Sequence, residues 1–475
     1  MSRASYDAVV VGAGPNGLAA AIVLAKAGRS VLVREANSTP GGGVRSAELT
    51  LPGFVHDVCS AIHPLGLASP LFKRLPLADH GLEWVHPPIP LAHPFDDGSA
   101  ALLHRSTAAT AAGLGRDGAA WRRLMDPFVS RFERLAPDLL APLRPPRNPL
   151  MLARFGMLAV LPNAVMARLA FREARARALF TGLSAHATLP LTHPPSAAFG
   201  LVLGITGHAV GWPMPRGGAR RITDALVSYL RSLGGEIETD APVESVDDLP
   251  PHRAVLLDLT PRQVLRVAGP HLTAEYRKEL DAFQYGLGTF KVDWALDGPI
   301  PWRSPDAARA GTVHLGGTIE EMEAARAAEW EGRPAERPLV LLSQPTRFDP
   351  SRAPEGKHIA WAYTHLPNGS TVDMTARIEA QVERFAPGFR DCILARHVMS
   401  PGDLERYNSN YVGGDINSGE ATLWQMVFRP AVGLVPYATP LRHVFLCSAS
   451  TPPGGAVHGM CGYYAARAAL RGCLR

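Results

Sequence analysis

Residues 6–35 read YDAVVVGAGPNGLAAAIVLAKAGRSVLVRE. The opening run, Tyr6 to Val11, is short, mostly apolar and ends on glycine, the pattern of a strand buried on both faces of a parallel sheet. Residues 18–27 are rich in Ala and Leu and stop at Gly28, which predicts a helix and its C-terminus. Residues 30–33 predict a second strand. Between first strand and helix lies Gly12-Ala13-Gly14-Pro15-Asn16-Gly17, a GxGxxG. Its first glycine permits the tight turn, its second lets the backbone approach a pyrophosphate, and its third allows close helix–strand packing. Phosphates then face the helix N-terminus, where free N–H groups and the helix dipole favour negative charge. Glu35 closes the second strand, 18 residues after Gly17. An acid there accepts hydrogen bonds from an adenosine ribose and repels a 2′-phosphate, so NADP is disfavoured. A lone GxGxxG is weak evidence and equally describes an empty glycine-rich turn. Strand, turn, helix, second strand and acid in sequence define a dinucleotide-binding βαβ unit.

Beyond this unit, residues 39–94 are rich in Pro, Gly and His and predict loops. Residues 119–140 and 164–183 predict helices. Residues 178–215 contain no Asp, Glu, Lys or Arg, although His186, His193 and His208 lie within them. Pro and Gly interrupt this stretch too often for a single helix. A second glycine signal, Arg216-Gly217-Gly218, precedes a predicted helix over 222–233, followed by strands near 236–239 and 255–259. Residues 285–430 alternate strand-like stretches (339–343, 358–363) with helix-like ones (319–330, 374–385). The chain ends as strand (443–447), loop and helix (463–470).

With 475 residues, the chain exceeds one ordinary core and predicts two domains. Hydrophobic residues make up 46% and charged residues 19%, which excludes wholesale disorder. The formal charge of +5 comes without a long basic run or zinc-finger spacing, so nucleic acid is not an expected partner. The cysteines, Cys59, Cys392, Cys447, Cys461 and Cys473, are odd in number and form no CxxC. A disulfide framework or zinc site is not expected, and a cytoplasmic location fits. No metal is expected. Neither a signal peptide nor an apolar run of about 20 residues is apparent.

Just past Glu35 comes Pro40-Gly41-Gly42-Gly43-Val44-Arg45-Ser46. Here the sequence resembles the phytoene-desaturase-like flavoproteins of the amine-oxidase-like FAD superfamily, which carry a GG doublet around the flavin end of the cofactor. In many of these an Arg follows the doublet directly; here Gly43 takes that place and Arg45 comes two residues later. The resemblance continues through Pro215-Arg216-Gly217-Gly218, Gly235-Glu236-Ile237 and Ala241-Pro242-Val243, where it implies that the Val243 backbone meets the adenine. It also covers Gly413-Gly414-Asp415-Ile416, Gly419-Glu420, and residues 446–459, LCSASTPPGGAVHG, similar to the family's C-terminal flavin motif. Departures are Ser448 and Ser450, where glycines are common, and Ala36, where a basic residue is common. Three separated blocks in order imply FAD rather than NAD, which would leave both distal blocks unexplained.

The expected fold class is α/β: a discontinuous Rossmann-like FAD-binding domain over 1–75, 214–282 and 430–475, with a mixed sheet-plus-helix substrate domain over 76–213 and 283–429. The resemblance implies cofactor contacts from Gly12, Ala13, Gly14, Pro15, Asn16, Gly17, Glu35, Gly41, Gly42, Gly43, Arg45, Val243, Ser450, Gly455 and Val457. His458, inside the C-terminal motif, and His63, after the glycine-rich loop, are the candidates for acid–base work, since a histidine titrates near neutrality. Structural hydrogen bonding is the plainer role for both. The expected activity is FAD-dependent dehydrogenation of an apolar substrate, with a small electron acceptor such as oxygen or a quinone, because the single GxGxxG leaves no dedicated NAD domain. The rivals are a redox-neutral flavin-dependent isomerase and a flavin-bound interaction protein without turnover. Arg168, Arg172 and Arg175 follow i, i+4, i+7 spacing, so one helix would gather them on a face able to rest on anionic lipid. That is the expectation of peripheral membrane contact, set against an ordinary solvated face. Oligomeric state is not legible.

Overall fold

The computed structural model describes residues 5–475. Strand Tyr6–Val11 lies at the centre of a five-stranded parallel sheet. It is flanked by His252–Leu257 on one side and Val31–Arg34 on the other, with Val444–Leu446 and Glu236–Glu238 at the edges. Strands from three distant parts of the sequence therefore share one sheet. The sheet is covered on one face by helix Pro15–Lys26, helix Arg220–Ser232 and the closing helix Met460–Arg471, whose Leu18, Ile22, Ile222, Leu226, Ala465 and Ala469 share a core with Ala8, Val10 and Leu256. Its other face packs Val9, Val11 and Leu257 against Val264, Val267 and Leu280. This is the two-sided burial that the unbroken apolar strands required.

A second sheet of seven strands runs in the order Ile393–Met399, Gly288–Leu296, His358–Leu366, Val340–Ser343, Ala310–Leu315, Ile89–Pro94, Ala100–Leu103. Its pairings are antiparallel except that of Ala310–Leu315 with Ile89–Pro94. Gly288–Leu296 is buried along all nine residues, although Thr289, Lys291 and Asp293 alternate with Phe290, Val292 and Trp294 in the pattern of a half-exposed strand. A helical layer between residues 107 and 209 builds a separate core around Trp121, Phe128, Phe171, Phe180 and Leu201.

Two predicted helices are broken. Residues 119–140 form Gly118–Val129 and Phe132–Leu139. Residues 164–183 form Asn163–Ala170 and Ala174–Ser184. The second break has a specific cause. Phe171 is buried in an extended conformation, and the buried Asp117 carboxylate accepts the N–H groups of Arg172 (2.9 Å) and Glu173 (2.7 Å). A side-chain acceptor so placed competes with the helix ladder. Arg168, Arg172 and Arg175 consequently do not share a helix face. Arg168 is paired with Glu320 and Glu323, and Arg175 donates to the Ala100 carbonyl.

The two sheets are tied by buried charge. Asp57, on the hairpin Ser46–Glu48/Val55–Asp57, accepts from Ser46 Oγ (2.8 Å), from the Ala219 N–H (2.7 Å) and from Arg352 Nη1 (2.8 Å). Arg352 also donates to the Val55 carbonyl, and neighbouring Asp349 accepts the Gly217 N–H at 2.6 Å. Both partners of the Asp57–Arg352 pair are fully buried. Removing one leaves an uncompensated buried charge, whereas removing both does not. Arg352→Met is therefore expected to cost about 3–5 kcal/mol in chemical denaturation, and adding Asp57→Asn to recover part of it. A single variant as stable as the native chain would show that the pair carries no such role.

Candidate functional site

The C-terminal ends of the parallel strands open into one continuous cavity of about 380 Å³. Its floor is the Gly12–Gly17 turn. Gly12 sits at φ +102°, a conformation open to glycine, and a Cβ on Gly17 would lie 2.0 Å from the Gly12 carbonyl oxygen. The helix can start this close to the strand only without that side chain. Glu35 accepts the Ala13 N–H through Oε2 (2.9 Å) and both the N–H and the side-chain amide of Asn37 through Oε1. Arg45 lies 3.2 Å from Glu35 Oε1 and 5.2 Å from the Tyr407 ring centroid. Residues 241–243 complete this end.

Asp258 is an unanticipated part of the floor. It follows the central strand His252–Leu257, and its Oδ2 accepts the Gly17 N–H at 2.9 Å. The carboxyl is thereby set against the helix start, where diphosphate charge is otherwise favoured. Burial, with Glu35 adding to it, raises its pKa to about 7 despite the backbone hydrogen bonds. Only the apolar run before it hinted that residue 258 ends a buried strand.

The opposite end of the cavity is lined by Cys59, Ser60, Ile62, His63 and Leu65, by His186, Leu203 and Trp212, and by Thr312, Leu341, Ser343, Trp361 and Tyr363 from the second sheet. None of these carries a formal charge. Trp361, Tyr363 and His365 alternate along His358–Leu366, a period-2 signal that the sequence did contain. His186 Nε2 lies 3.1 Å from His314 Nε2, and its Nδ1 lies 3.5 Å from the Tyr363 hydroxyl. Burial lowers the pKa of both His63 and His186 to about 4, so each is neutral at pH 7. Behind this wall, Lys291 is buried, paired with Asp293, and its Nζ stands 5.7 Å from the Trp361 ring.

Of the anticipated residues, Gly12, Gly14, Pro15, Asn16, Glu35, Gly42, Gly43, Arg45, Val243, Val457 and His63 line the cavity. Ala13, Gly17 and Gly41 stand just behind it in the same turns. Ser450 is turned away, bonded to Thr260 Oγ1 and the Ser418 carbonyl, and Gly455 packs against Asn417. His458 is not part of the lining either. Its ring is fully buried, Nδ1 accepts the Met460 N–H at 3.0 Å, and its carbonyl accepts from Ser69 Oγ. The histidine caps the closing helix, because the chain turns the adjacent Val457, not His458, towards the cavity.

Comparison with known proteins agrees with this architecture. The NAD(P)-binding Rossmann-like domain family matches residues 10–75. The mouse protein named pyridine nucleotide-disulfide oxidoreductase domain-containing protein 2 is 26% identical, with 99% of this chain and 94% of that protein aligned. The phytoene dehydrogenase of Streptomyces griseus is 26% identical over 82% of this chain and 77% of its own. Among solved structures, an oxidoreductase from Methanosarcina mazei superposes with TM-score 0.66 at 16% identity, covering 98% of this chain and 99% of its own. Putrescine oxidase bound to putrescine superposes with TM-score 0.60 at 18% identity, covering 98% of each chain. The protein is thus an FAD-dependent oxidoreductase. In sequence it is similar to phytoene dehydrogenase and hydroxyneurosporene desaturase, and in fold to putrescine oxidase. All five cysteines are free.

The floor generates two expectations. Gly17→Val forces the turn open and should abolish retention of FAD through purification; a fully yellow variant would place the phosphates elsewhere. Asp258 binds a proton in the folded apoprotein that it does not bind when unfolded, since its pKa is raised from 3.8 to about 7. Its contribution to apoprotein stability therefore declines as pH rises from about 4 to about 7. A cofactor diphosphate adds like charge, so FAD affinity should weaken above pH 7 by up to about tenfold per pH unit, the limit for one linked proton. Fluorescence titration should show Asp258→Asn flattening this dependence; an unchanged profile would exclude Asp258 as its source.

Proposed function

We propose that the chain dehydrogenates a predominantly apolar organic substrate held between the flavin end of the cavity and the second sheet. The observation that carries this reading is the lining around Ile62, Leu203, Trp212, Leu341 and Trp361, which contains no Asp, Glu, Lys or Arg. Such a wall lends no counter-charge to a substrate ammonium or carboxylate, and burying either unpaired is costly. The polyisoprenoid named in the phytoene dehydrogenase relative is of the expected class.

In this reading the Gly12–Gly17 turn holds the FAD diphosphate, Glu35 the ribose, Gly41–Gly43 and Arg45 the middle of the cofactor, and the Val243 backbone the adenine. Of the C-terminal motif, Val457 faces the cofactor, while Ser450 and Gly455 support its loop. FAD held there would supply the hydride acceptor for one substrate carbon. The adjacent carbon must lose a proton as the double bond forms, and His186 is placed to take it. It is neutral, faces the cavity and is backed by His314, which can accept the proton in turn. His63 is the second base within the same lining. Oxygen or a quinone reoxidises the cofactor. FAD-binding and substrate domains divide the chain near residues 75, 214, 282 and 430.

The test is anaerobic mixing of the holoenzyme with partly saturated isoprenoid hydrocarbons, alkylamines and hydroxy acids in detergent micelles. Apolar substrates are expected to bleach the flavin's visible absorbance stoichiometrically. Bleaching only by charged substrates would overturn the apolar assignment. Conversion without bleaching, dependent on prior reduction, would identify an isomerase; no conversion would leave an interaction protein. His186→Gln should retain FAD and slow bleaching by about 10²–10⁴-fold. The native rate should fall as pH drops towards 4, where the ring takes up its own proton.

A further inference from the structure

Acidic residues are missing from two long stretches of this chain. Between Asp138 and Glu173 stand Arg144, Arg147, Arg154, Arg168 and Arg172, with no Asp, Glu or Lys. Residues 421–475 hold Arg429, Arg442, Arg467, Arg471 and Arg475, and again none of the other three types. The same stretches carry the exposed apolar surface. Of the large hydrophobic side chains that are exposed among the described residues, six lie in the first stretch, seven in the second and only four elsewhere. Leu150 is 87% exposed, Leu169 79%, Trp424 62% and Leu434 104%. Contiguous exposed apolar surface is avoided unless something covers it.

The stretches meet. The Arg144 guanidinium lies 5.7 Å from the Tyr464 ring, which stacks on Tyr437 at 6.1 Å, two residues past the exposed Val435. On helix Pro149–Ala159, Leu150, Arg154 and Met157 follow i, i+4, i+7 spacing and are all exposed, so apolar and basic groups share one outward face. Helix Asn163–Ala170 leaves this helix at a bend of 102°, and among the described residues no single helix is long and apolar enough to cross a membrane. Arg168 is neutralised by Glu320 and Glu323, Asp138 is buried against the turn before Asn148, and Arg429 is buried. Among the described residues, Arg147, Arg154 and Arg442 are exposed without an ion-pair partner within 4 Å. The second stretch reaches the cavity lining at Ser448, Ala449, Ala456 and Val457, and helix Pro149–Ala159 of the first packs on Ala197–Ala209, whose Leu203 lines the cavity.

We infer that this face docks on the surface of an anionic lipid bilayer and turns the cavity towards the source of its apolar substrate. The occupant follows from charge and shape. Exposed Leu, Met and Trp enter the acyl boundary while arginines whose guanidinium groups are not paired with an acid among the described residues meet headgroup phosphates, the balance of an interfacial rather than a spanning element. The inference extends the apolar-substrate reading and rests on it for its purpose, not for its geometry.

The experiment uses the full FAD-loaded protein and vesicles of phosphatidylcholine with or without phosphatidylglycerol. Co-sedimentation at low salt is expected to be at least about tenfold stronger with phosphatidylglycerol and to fall steeply with salt. Arg147→Glu/Arg154→Glu and Leu150→Glu/Met157→Glu should each weaken it about tenfold or more while keeping FAD and thermal stability. Acyl-brominated lipid should quench the native fluorescence more than that of Trp424→Phe. Absent sedimentation, or binding indifferent to these variants, overturns the inference. So does a stable dimer in light scattering that Leu150→Glu/Met157→Glu converts to monomer, which would make the face a contact between copies. Flavin bleaching by apolar substrates in micelles without vesicle binding would refute docking alone; vesicle binding without such bleaching would refute the dehydrogenase reading alone.

Discussion

The buried pair Asp57–Arg352 holds together parts of the chain that no local signal connects. Asp57 belongs to the hairpin after the glycine-rich loop, Ala219 to the start of the returning helix, and Arg352 to a turn leading into the second sheet. A carboxylate taken out of water must find counter-charge and donors, and here it finds them on three segments far apart in sequence. The wall formed by residues 59–66 follows directly after Asp57, so the pair also fixes the cavity's flavin end relative to Trp361 and Tyr363. Without it, a sheet assembled from three separate regions would keep fewer polar ties, such as the Asp349–Gly217 bond, to hold the second sheet in register with the cavity.

Burial also sets the chemistry. The same desolvation that makes the distal wall apolar keeps His63, His186 and His314 uncharged and holds the Tyr363 hydroxyl protonated. Neutral histidines can accept a proton, and a neutral lining admits hydrocarbon. At the opposite end the charged groups gather: Arg34, Glu35, Arg45, Asp258 and Arg266. The cavity is thus polarised along its length, with ionic groups at the Gly12–Gly17 end and uncharged ones at the other.

A similar segregation operates on the exterior. Acids confined to other parts of the surface leave a basic, apolar face beside the cavity. The arginines expected to form such a face, Arg168, Arg172 and Arg175, do not, because Asp117 breaks their helix and Glu320 and Glu323 engage the first of them. The face lies before them in the chain, on residues whose exposure depends on which side of helix Pro149–Ala159 packs inward.

By itself the sequence determined what short-range chemistry controls. The run from Tyr6 to Glu35 specified strand, turn, helix, strand and acid, since each depends on neighbours a few residues away, and the resemblance of the distal blocks carried the cofactor class. Gly12, Gly14, Glu35 and Val243 were legible for that reason. Asp258 and His186 were not, because their importance arises from what the chain brings against them: a helix start 241 residues earlier and a histidine 128 residues later. Gly288–Leu296 alternates polar and apolar residues as a half-exposed strand does, and only the assembled structure shows Lys291 and Asp293 buried as well. His458 carried the right residue type in the right motif, yet only packing decided that its ring caps a helix while Val457 faces the cavity. The direction a side chain takes at a sharp turn depends on the density of atoms around it, and that is a property of the assembled core.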